Sequence, residues 1–463
     1  MPADYHGRGG VLGAGLFTAL SPAFVYYSRY YIHELLLVFF TLLFVAAAWR
    51  YWKSGRIAWA ILSGAALGLM HATKETFVFP IAALLGAAVA TVLWERWVPS
   101  SSSPEILHEP EKDPPRRHED REGPSRTVLR APCGETGRLP FSEWGDRARL
   151  RLGWKPVLAA LAAALIVSIV LFTSFFTNWQ GPIDSVRTYL PWFGRAGGES
   201  PHIHPWGFYL ERLLWFHFPK GPVWSEALIV LLAVAGWIAA LWGQKPADGC
   251  VRFLRFAGFY AFGLTAVYSV IPYKTPWCLV GFHHGFILLA GPALAILWDL
   301  LRKWRGGRLM VFALLALAAG QLAVQAWRGA FPYATDRRNP HVYAHTSRDL
   351  LRLVATIRDI TRYAPQGDAE VIKVMAPGGD YWPLPWYLRQ HANLGWYPQV
   401  PEDPYATLMV VSSSFEAELD ERSDKKWLMI GLFEHRPRVF LELYVAFDCW
   451  KTYLERRPKP PDD

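Results

Sequence analysis

Three short polar segments stand at the ends of long apolar runs and contain the residue types that bind phosphate. They are Ser28–Glu34, His71–Thr76 and Tyr268–Trp277. Ionisable side chains at the edge of a membrane are costly, so each one is a functional hypothesis by default. A phosphate requires positive charge and hydrogen-bond donors, and lysine is a common point-charge partner for it. The segments therefore indicate a site for an anionic lipid headgroup at one membrane face.

Within these segments, the expected phosphate ligands are Arg29, Lys74 and Lys274. The expected supporting residues are Glu34, Glu75, Tyr273 and Trp277. A structural role stays open for two of the cations, because Arg29 could pair with Glu34 and Lys74 could extend to the interface. Lys274 lies between two prolines on the side that basic residues usually avoid. We expect the three cations to converge on one cavity.

Long apolar runs must position these segments. Of the 463 residues, 52% are hydrophobic and 19% are charged, whereas soluble domains carry about 25% charged residues. A membrane-spanning helix requires about 20 mainly apolar residues. The sequence predicts an α-helical polytopic membrane protein with about nine spans in a transmembrane domain at 1–328. The candidate spans are 11–27, 35–52, 57–71, 77–95, 156–177, 223–243, 253–271, 277–299 and 309–328.

Basic residues in short loops predict the orientation of the spans. The junctions around Arg50, Lys245 and Arg302 are rich in lysine and arginine, whereas the alternating junctions are not. The positive-inside rule places the basic junctions in the cytoplasm. The sequence therefore predicts a multi-pass protein of the cytoplasmic (plasma) membrane, with the three polar segments and the C-terminal domain outside. Because the net charge of +9 arises largely from these loops, we do not expect a nucleic-acid partner.

Two loops and the C-terminal part have compositions of their own. Residues 96–154 are rich in Ser, Pro, Arg and Glu, which predicts a disordered cytoplasmic loop. Residues 178–222 are dense in aromatic residues and proline, which predicts an extracytoplasmic amphipathic loop with a surface helix at Trp206–Phe218. Residues 329–463 combine a helical stripe from Leu350 with apolar strands at 371–375, 408–411 and 439–444. This alternation predicts a C-terminal extracytoplasmic α/β domain.

Metal sites and disulfides are not indicated by the spacing of the usual ligands. His202 and His204 form an HxH pair without a third ligand. His283 and His284 lie within a span, where packing or hydrogen bonding between helices is the expected role. No cofactor is evident, although a divalent metal stays open. The cysteines form no CxxC pair: they are Cys133, Cys250, Cys278 and Cys449.

The order of the polar segments resembles a known superfamily. Leu20–Pro22, followed by Tyr27–Arg29 and Glu34, resembles a span of the polytopic GT-C glycosyltransferases. These include protein O-mannosyltransferases and the lipid A aminoarabinose transferase. Thr73–Lys74 resembles their next outer junction. The most similar branch is that of flippase-activity-associated proteins, and this similarity is carried by Lys274–Trp277, Asn339–Ala344 and Tyr381–Tyr387.

The resemblance implies that a sugar is transferred from a polyprenyl-phosphate donor to an acceptor outside the cytoplasmic membrane. The catalytic carboxylate of the superfamily lies in its first outer loop, but this chain starts at what resembles the third span. We therefore expect an N-terminally truncated chain to which no catalytic residue can be carried over. Asp184 is the remaining candidate for the base, since Glu34 and Glu75 adjoin cations that favour their ionised forms.

The expected function is that of a GT-C-type hexosyl or pentosyl transferase, catalytically incomplete in this chain. Its expected partners are a polyprenyl-phosphate-linked sugar and membrane lipids. The alternative is a non-catalytic protein that binds lipid-linked sugars or assists their flipping. A secondary transporter is disfavoured, because the polar groups gather at one membrane face and no internal repeat is visible.

Overall fold

The computed structural model describes residues 3–98, 153–191, 202–246, 249–301 and 304–457. The chain divides into two compact units, the membrane unit (residues 1–331) and the C-terminal unit (residues 332–463). The first consists mainly of apolar helices, and the second contains a five-stranded sheet. The predicted fold class, a polytopic helical membrane protein with a C-terminal α/β domain, is therefore confirmed. Most of the predicted loop 96–154, and positions 192–201 of the loop 178–222, lie outside the described residues.

The membrane unit is a succession of helices interrupted by one small hairpin. In chain order, its elements are α1 (Ala3–Leu20), α2 (Pro22–Ser28), α3 (Glu34–Ser54), α4 (Ile57–Thr73), α5 (Val78–Trp97), α6 (Trp154–Phe172), α7 (Gly181–Arg187), α8 (Phe208–Leu214), β1 (Phe216–His217), β2 (Val223–Trp224), α9 (Ala227–Leu241), α10 (Val251–Val270), α11 (Leu279–Leu301) and α12 (Arg305–Ala330). The predicted surface helix at Trp206–Phe218 is confined to α8, because the chain then turns into the hairpin of β1 and β2.

Six helices in the described ranges are long and apolar enough to cross a membrane, namely those containing α3, α5, α6, α10, α11 and α12. Gly7–Leu20 and Pro22–Ser28 together would form a seventh span, broken by a bend of 61°. The apolar helices α4 and α9 are shorter, with 17 and 15 residues. Each of the nine predicted spans overlaps one of these helices, but α4 and α9 are shorter than a full span, so six or seven candidate spans are found in the described ranges.

Glycines allow α11 to approach its neighbours closely. A Cβ on Gly13 of α1 would lie 3.0 Å from the Cα of Gly291 in α11. A Cβ on Gly236 of α9 would lie 2.8 Å from the carbonyl oxygen of Leu289, also in α11. Small residues let membrane helices pack backbone to backbone. The helices α1 and α9 therefore hold α11, and α10 packs against it as well.

The C-terminal unit is an α/β fold. In chain order, its elements are α13 (Asp349–Tyr363), β3 (Ile372–Met375), α14 (Leu384–Tyr387), β4 (Leu394–Tyr397), β5 (Leu408–Ser412), α15 (Leu419–Arg422), β6 (Trp427–Arg436), β7 (Val439–Ala446) and α16 (Phe447–Arg456). The sheet has the order β4-β3-β5-β7-β6. Alternate residues of β5 enter two apolar clusters, Leu408 and Val410 in one and Met409 and Val411 in the other, as the two-residue period of a strand requires.

One edge of this sheet collects the ends of four strands. Strands β3, β4 and β5 are parallel, and β6 runs in the same direction because β7 is antiparallel to both of its neighbours. The chain leaves β3 towards β4 on one side, and it leaves β5 towards β6 and β7 on the other. Such a topological switch point is where open α/β sheets bind ligands, outside the carboxyl ends of the strands. We call it the carboxyl edge.

The predicted orientation of the chain can be measured with introduced cysteines. In a Cys133→Ser background, we expect Lys451→Cys to react with a membrane-impermeant thiol reagent in intact cells, because Lys451 is exposed and predicted to lie outside. Gln244→Cys, also exposed, should react only after permeabilisation. The native Cys250 and Cys449 are buried and give little background, and the partly exposed Cys278 is also replaced by serine. Labelling of Gln244→Cys but not of Lys451→Cys in intact cells would reverse the orientation.

Candidate functional site

A groove runs between α3, α5, α10 and α11 in the membrane unit. Its space amounts to about 720 Å³ when the open solvent at its mouth is included. On α3 its lining extends from Glu34 to Val45, and a helix rises about 1.5 Å per residue, so this wall is about 16 Å long. Most of the lining is aliphatic or aromatic, including Leu37, Val38, Leu42, Pro80, Leu84, Phe253, Phe256 and Leu288. The groove therefore offers an apolar channel along the direction of the helices.

A buried ion pair lies at the Glu34 end of the groove. Glu34 begins α3 and is only 5% exposed. Lys74 follows the last residue of α4, and its ammonium donates to Glu34 Oε1. A carboxylate at a helix N-terminus and an ammonium at a helix C-terminus are both stabilised by the helix dipoles. Sequence analysis selected both residues, and the structure brings them together.

The second oxygen of Glu34 has no hydrogen-bond partner among the described residues. Glu34 lines the groove together with Thr76 and Cys278. A buried carboxylate oxygen without a partner is costly, because its desolvation is not offset by a hydrogen bond. This end of the groove is therefore suited to a ligand that supplies a hydroxyl or another donor.

Arg212 adds a cation near this polar end. Its guanidinium lies 3.5 Å from the centre of the Phe208 ring, and its Nε is buried without a hydrogen-bond partner in the described part of the chain. The pKa of Arg212 is lowered to about 10 by burial, which still leaves it charged at pH 7. Arg212 lies on α8, whose Tyr209 ring is 6.3 Å from the ring of Tyr268, a residue that lines the groove. Arg212 is thus a candidate anion ligand that sequence analysis did not select.

Lys274 is held by the backbone of its own junction. It is 1% exposed, and its Nζ donates to the carbonyl oxygens of His204 at 3.1 Å and Ile271 at 2.5 Å. Its backbone N–H donates to the carbonyl of His202, 2.9 Å away, and Tyr273 forms a bridge with Ile203. Burial lowers the pKa of Lys274. Two of its three ammonium hydrogens are therefore engaged in joining the loop to the junction.

Arg29 has a different set of contacts. Its Nη1 donates to the carbonyl oxygen of Ala330 at 2.7 Å, and its guanidinium lies 4.2 Å from the centre of the Phe331 ring. The described contacts thus give Arg29, Lys74 and Lys274 three separate sets of partners. Convergence of the three cations on one cavity stays a prediction.

The remaining predicted residues lie at the margins of this region. The backbone carbonyl of Glu75 accepts a hydrogen bond from the Tyr189 hydroxyl at 2.9 Å. Trp277 precedes Cys278 in the short helical turn before α11. Asp184 lies on α7 with 56% of its side chain exposed, and it is 3.8 Å from Arg187. These positions leave the catalytic role of Asp184 as a proposal.

A second buried polar cluster joins three helices. Glu226, at the start of α9, is 2% exposed. Its Oε2 accepts hydrogen bonds from Ser21 Oγ at 2.5 Å and His283 Nε2 at 2.8 Å, and its Oε1 accepts one from the Ala23 N–H at 3.0 Å. Ser21 caps α2 at the bend after α1 and also accepts a bond from the Phe24 N–H. The carboxylate therefore fixes the broken helix against α9 and α11.

We expect Glu226→Ala to destabilise the membrane unit. The substitution leaves the Ser21 hydroxyl, the Ala23 N–H and the His283 ring buried without these bonds, and breaking a buried pair costs about 3–5 kcal/mol. Glu226→Gln keeps an acceptor and should cost less. Thermal unfolding in detergent measures the difference, with the exposed Glu211→Ala as the control. Equal melting temperatures for Glu226→Ala and Glu211→Ala would contradict this role.

Sequence analysis selected Glu34 and Lys74 as separate residues and did not predict that they pair with each other. Hydrogen bonding between helices was expected for His283 and is observed, but Glu226 was not among the carboxylates considered. Its position after Trp224 and Ser225, directly before an apolar run, was the available signal, because a carboxylate at a membrane edge needs a partner. Arg212 carries a weaker signal, since its loop is rich in aromatic residues that suggest only interfacial packing.

Comparison with known proteins supports the superfamily resemblance for the N-terminal part. Residues 4–104 match the family described as dolichyl-phosphate-mannose-protein mannosyltransferase. The matched range contains Glu34 and Lys74, and it supports a membrane glycosyltransferase-like role. No curated protein and no solved structure matches the chain. Among the described residues, no group of three or more His, Cys, Asp or Glu side chains could hold a metal ion.

Proposed function

We propose that this chain is a membrane glycosyltransferase-like protein that binds a polyprenyl-phosphate sugar, with the isoprenoid tail in the groove and the phosphate at Lys74. The observation that carries the proposal is the combination of an apolar groove with a buried Glu34–Lys74 pair at its end. A lipid with a long apolar chain and one anionic group matches this arrangement, since the chain suits the apolar groove and the anionic group suits the Lys74 ammonium. The similarity of residues 4–104 to a family that uses dolichyl-phosphate-mannose supports this ligand class.

The phosphate would compete with Glu34 for the Lys74 ammonium. Arg212, whose Nε has no partner in the described ranges, is proposed as the second donor to it. Arg212 Nη1 donates to the carbonyl oxygen of Phe208, 3.1 Å away, so its Nε is the donor proposed for the phosphate. Lys274 and Arg29, whose described hydrogen bonds also go to backbone carbonyls, are proposed as secondary ligands. The unpartnered Glu34 oxygen would then accept a hydrogen bond from a sugar hydroxyl.

The acceptor is proposed to approach from the outer face of the plasma membrane, towards residues 178–222 and the C-terminal unit. Asp184 is the proposed base, since glycosyl transfer needs a group that takes the proton of the acceptor hydroxyl. Its exposed carboxylate is weakly paired with Arg187 and is free to accept a proton from a bound hydroxyl.

Reconstituted vesicles test this function. The chain is supplied with a labelled polyprenyl-phosphate sugar, and retained donor and released or transferred sugar are counted separately. Donor retention together with transfer that Asp184→Asn reduces would support the enzyme. Donor retention without transfer would favour a protein that binds lipid-linked sugars without reacting with them. Retention no greater than that of an uncharged polyprenol would contradict both.

A further inference from the structure

An exposed tryptophan stands beside two charged side chains at the carboxyl edge of the sheet in the C-terminal unit. Trp382 is 57% exposed, although the segment that follows β3 holds its backbone firmly. Its carbonyl oxygen accepts hydrogen bonds from His435 Nε2 at 2.8 Å and Arg436 Nη2 at 2.7 Å. Both donors belong to the end of β6. The backbone is thus fixed while the indole faces solvent.

The charged neighbours of Trp382 keep unused hydrogen-bonding capacity. Asp380 and Arg436 approach to 3.8 Å, which is too long for a direct hydrogen bond. Their side chains are 40% and 25% exposed. Arg436 Nε is buried without a hydrogen-bond partner among the described residues. We call Asp380, Trp382 and Arg436 the Trp382 patch.

The loop that carries the Trp382 patch is shaped by two glycines. Gly378 and Gly379 have φ values of +57° and +85°, a region that favours glycine. A Cβ on Gly379 would lie 3.5 Å from the Trp382 ring, so the indole lies directly over the loop. Burial lowers the pKa of His435, which keeps its ring neutral at pH 7, and its Nε2–H supports the Trp382 carbonyl. The loop and these hydrogen bonds therefore fix the position of the exposed indole before a ligand binds.

We propose that the Trp382 patch binds a saccharide. A pyranose or furanose ring presents C–H groups on its faces and hydroxyl groups at its rim. An exposed indole packs against the faces, a carboxylate accepts bonds from hydroxyls, and a guanidinium donates to their oxygens. Adsorption to a membrane is the less suitable role, because Asp380 and Arg436 together leave the patch without a net positive charge to attract anionic lipid.

This site is distinct from the proposed donor groove, which lies in the membrane unit. If the bound saccharide is the acceptor of the proposed transfer, that assignment rests on the proposed function. The ligand class itself follows from the side chains of the Trp382 patch. The test therefore uses soluble oligosaccharides and no lipid-linked donor. Loss of saccharide binding with intact donor binding would leave the proposed function standing, and the reverse result would leave this site standing.

The purified full-length chain is applied to an immobilised series of oligomannosides, oligoglucosides and oligoarabinosides of two to six sugars. We expect one class of oligosaccharide to bind. Trp382→Ala should weaken the affinity for that class about tenfold, because the contact between the indole and the sugar ring is lost. Asp380→Asn should weaken it to a similar extent. Because the Trp382 ring is exposed and its backbone makes the structural bonds, neither variant should lower the melting temperature.

The matched control is Trp386→Ala. Trp386 is 64% exposed, and the Arg389 guanidinium covers it at 4.2 Å from the ring centre. Its substitution should leave saccharide affinity within about twofold, since it is not part of the Trp382 patch. Equal losses in Trp382→Ala and Trp386→Ala would show a general aromatic surface, and would overturn the proposal. So would a wild-type chain that binds none of the oligosaccharides.

Discussion

Replacing Lys74 with alanine is expected to lower the affinity for a polyprenyl monophosphate by about ten- to a hundredfold. A hydrogen bond to a charged group contributes about 1.5–3 kcal/mol, which corresponds to that range. Binding is measured in nanodiscs by competition with a fluorescent polyprenyl phosphate.

Two variants separate phosphate binding from general damage at this site. Glu34→Gln removes the competing carboxylate from the Lys74 ammonium while retaining its size, so affinity for the monophosphate should equal or exceed that of the wild type. Lys274→Ala should cost less than Lys74→Ala, since the Lys274 ammonium already donates to two carbonyls. A Lys74→Ala variant that binds like the wild type, or a Glu34→Gln variant that loses as much affinity, would remove Lys74 from the proposed site.

Filling the groove from the opposite wall is expected to weaken binding about tenfold or more for a long-chain lipid. Gly281 of α11 lines the groove, and a Cβ there would meet only Leu264 Cδ2, at 3.7 Å. Gly281→Leu should therefore be tolerated by the fold while its side chain occupies the path of the tail. Forcing extra groups into occupied space costs about 1–3 kcal/mol. The readout is competition with lipids of two and of eleven isoprene units.

The control for steric blockage is Gly263→Leu on α10. A Cβ on Gly263 would meet nothing within 4 Å, and Gly263 does not line the groove. The helix-stabilising effect of replacing glycine is the same in both variants. Affinity for both lipids should fall in Gly281→Leu alone, because Gly281 follows Cys278 by three residues and both tails would pass it. An identical loss in Gly263→Leu, or no loss in Gly281→Leu, would be inconsistent with a tail in this groove.

The helices of the membrane unit could be predicted from apolar length, because lipid allows few other backbone structures. The bend between α1 and α2 was not predicted, although Ser21-Pro22 is a standard helix start. An unbroken apolar run concealed it. In the C-terminal unit, α13, β3, β5 and β7 follow from their patterns. Strand β6 was missed because Met429 and Leu432 are 40% and 53% exposed, which weakens the alternation expected of a half-buried strand.

The sequence predicted individual site residues at the ends of spans, but not which of these residues contact each other. Glu34 and Lys74 were selected separately by their position at span ends, and their pairing depends on how α3 and α4 pack. The contact of the Lys274 ammonium with the Ile271 carbonyl is local, but its contact with the His204 carbonyl joins residues 70 apart in sequence and could not be predicted from the junction alone. Partners separated by tens of residues in sequence leave no local pattern, which is also why the Glu226–His283 pair, 57 residues apart, was found only in the structure.

Photo-crosslinking tests the central claim most directly. A polyprenyl-phosphate sugar with a diazirine in its tail is bound to the full chain in nanodiscs, irradiated and mapped by mass spectrometry. The groove predicts crosslinks to the segments 37–45 of α3 and 281–288 of α11, suppressed by an excess of unlabelled donor. Crosslinks that concentrate instead on α6, which has no buried residues and does not line the groove, would contradict a donor site in the groove.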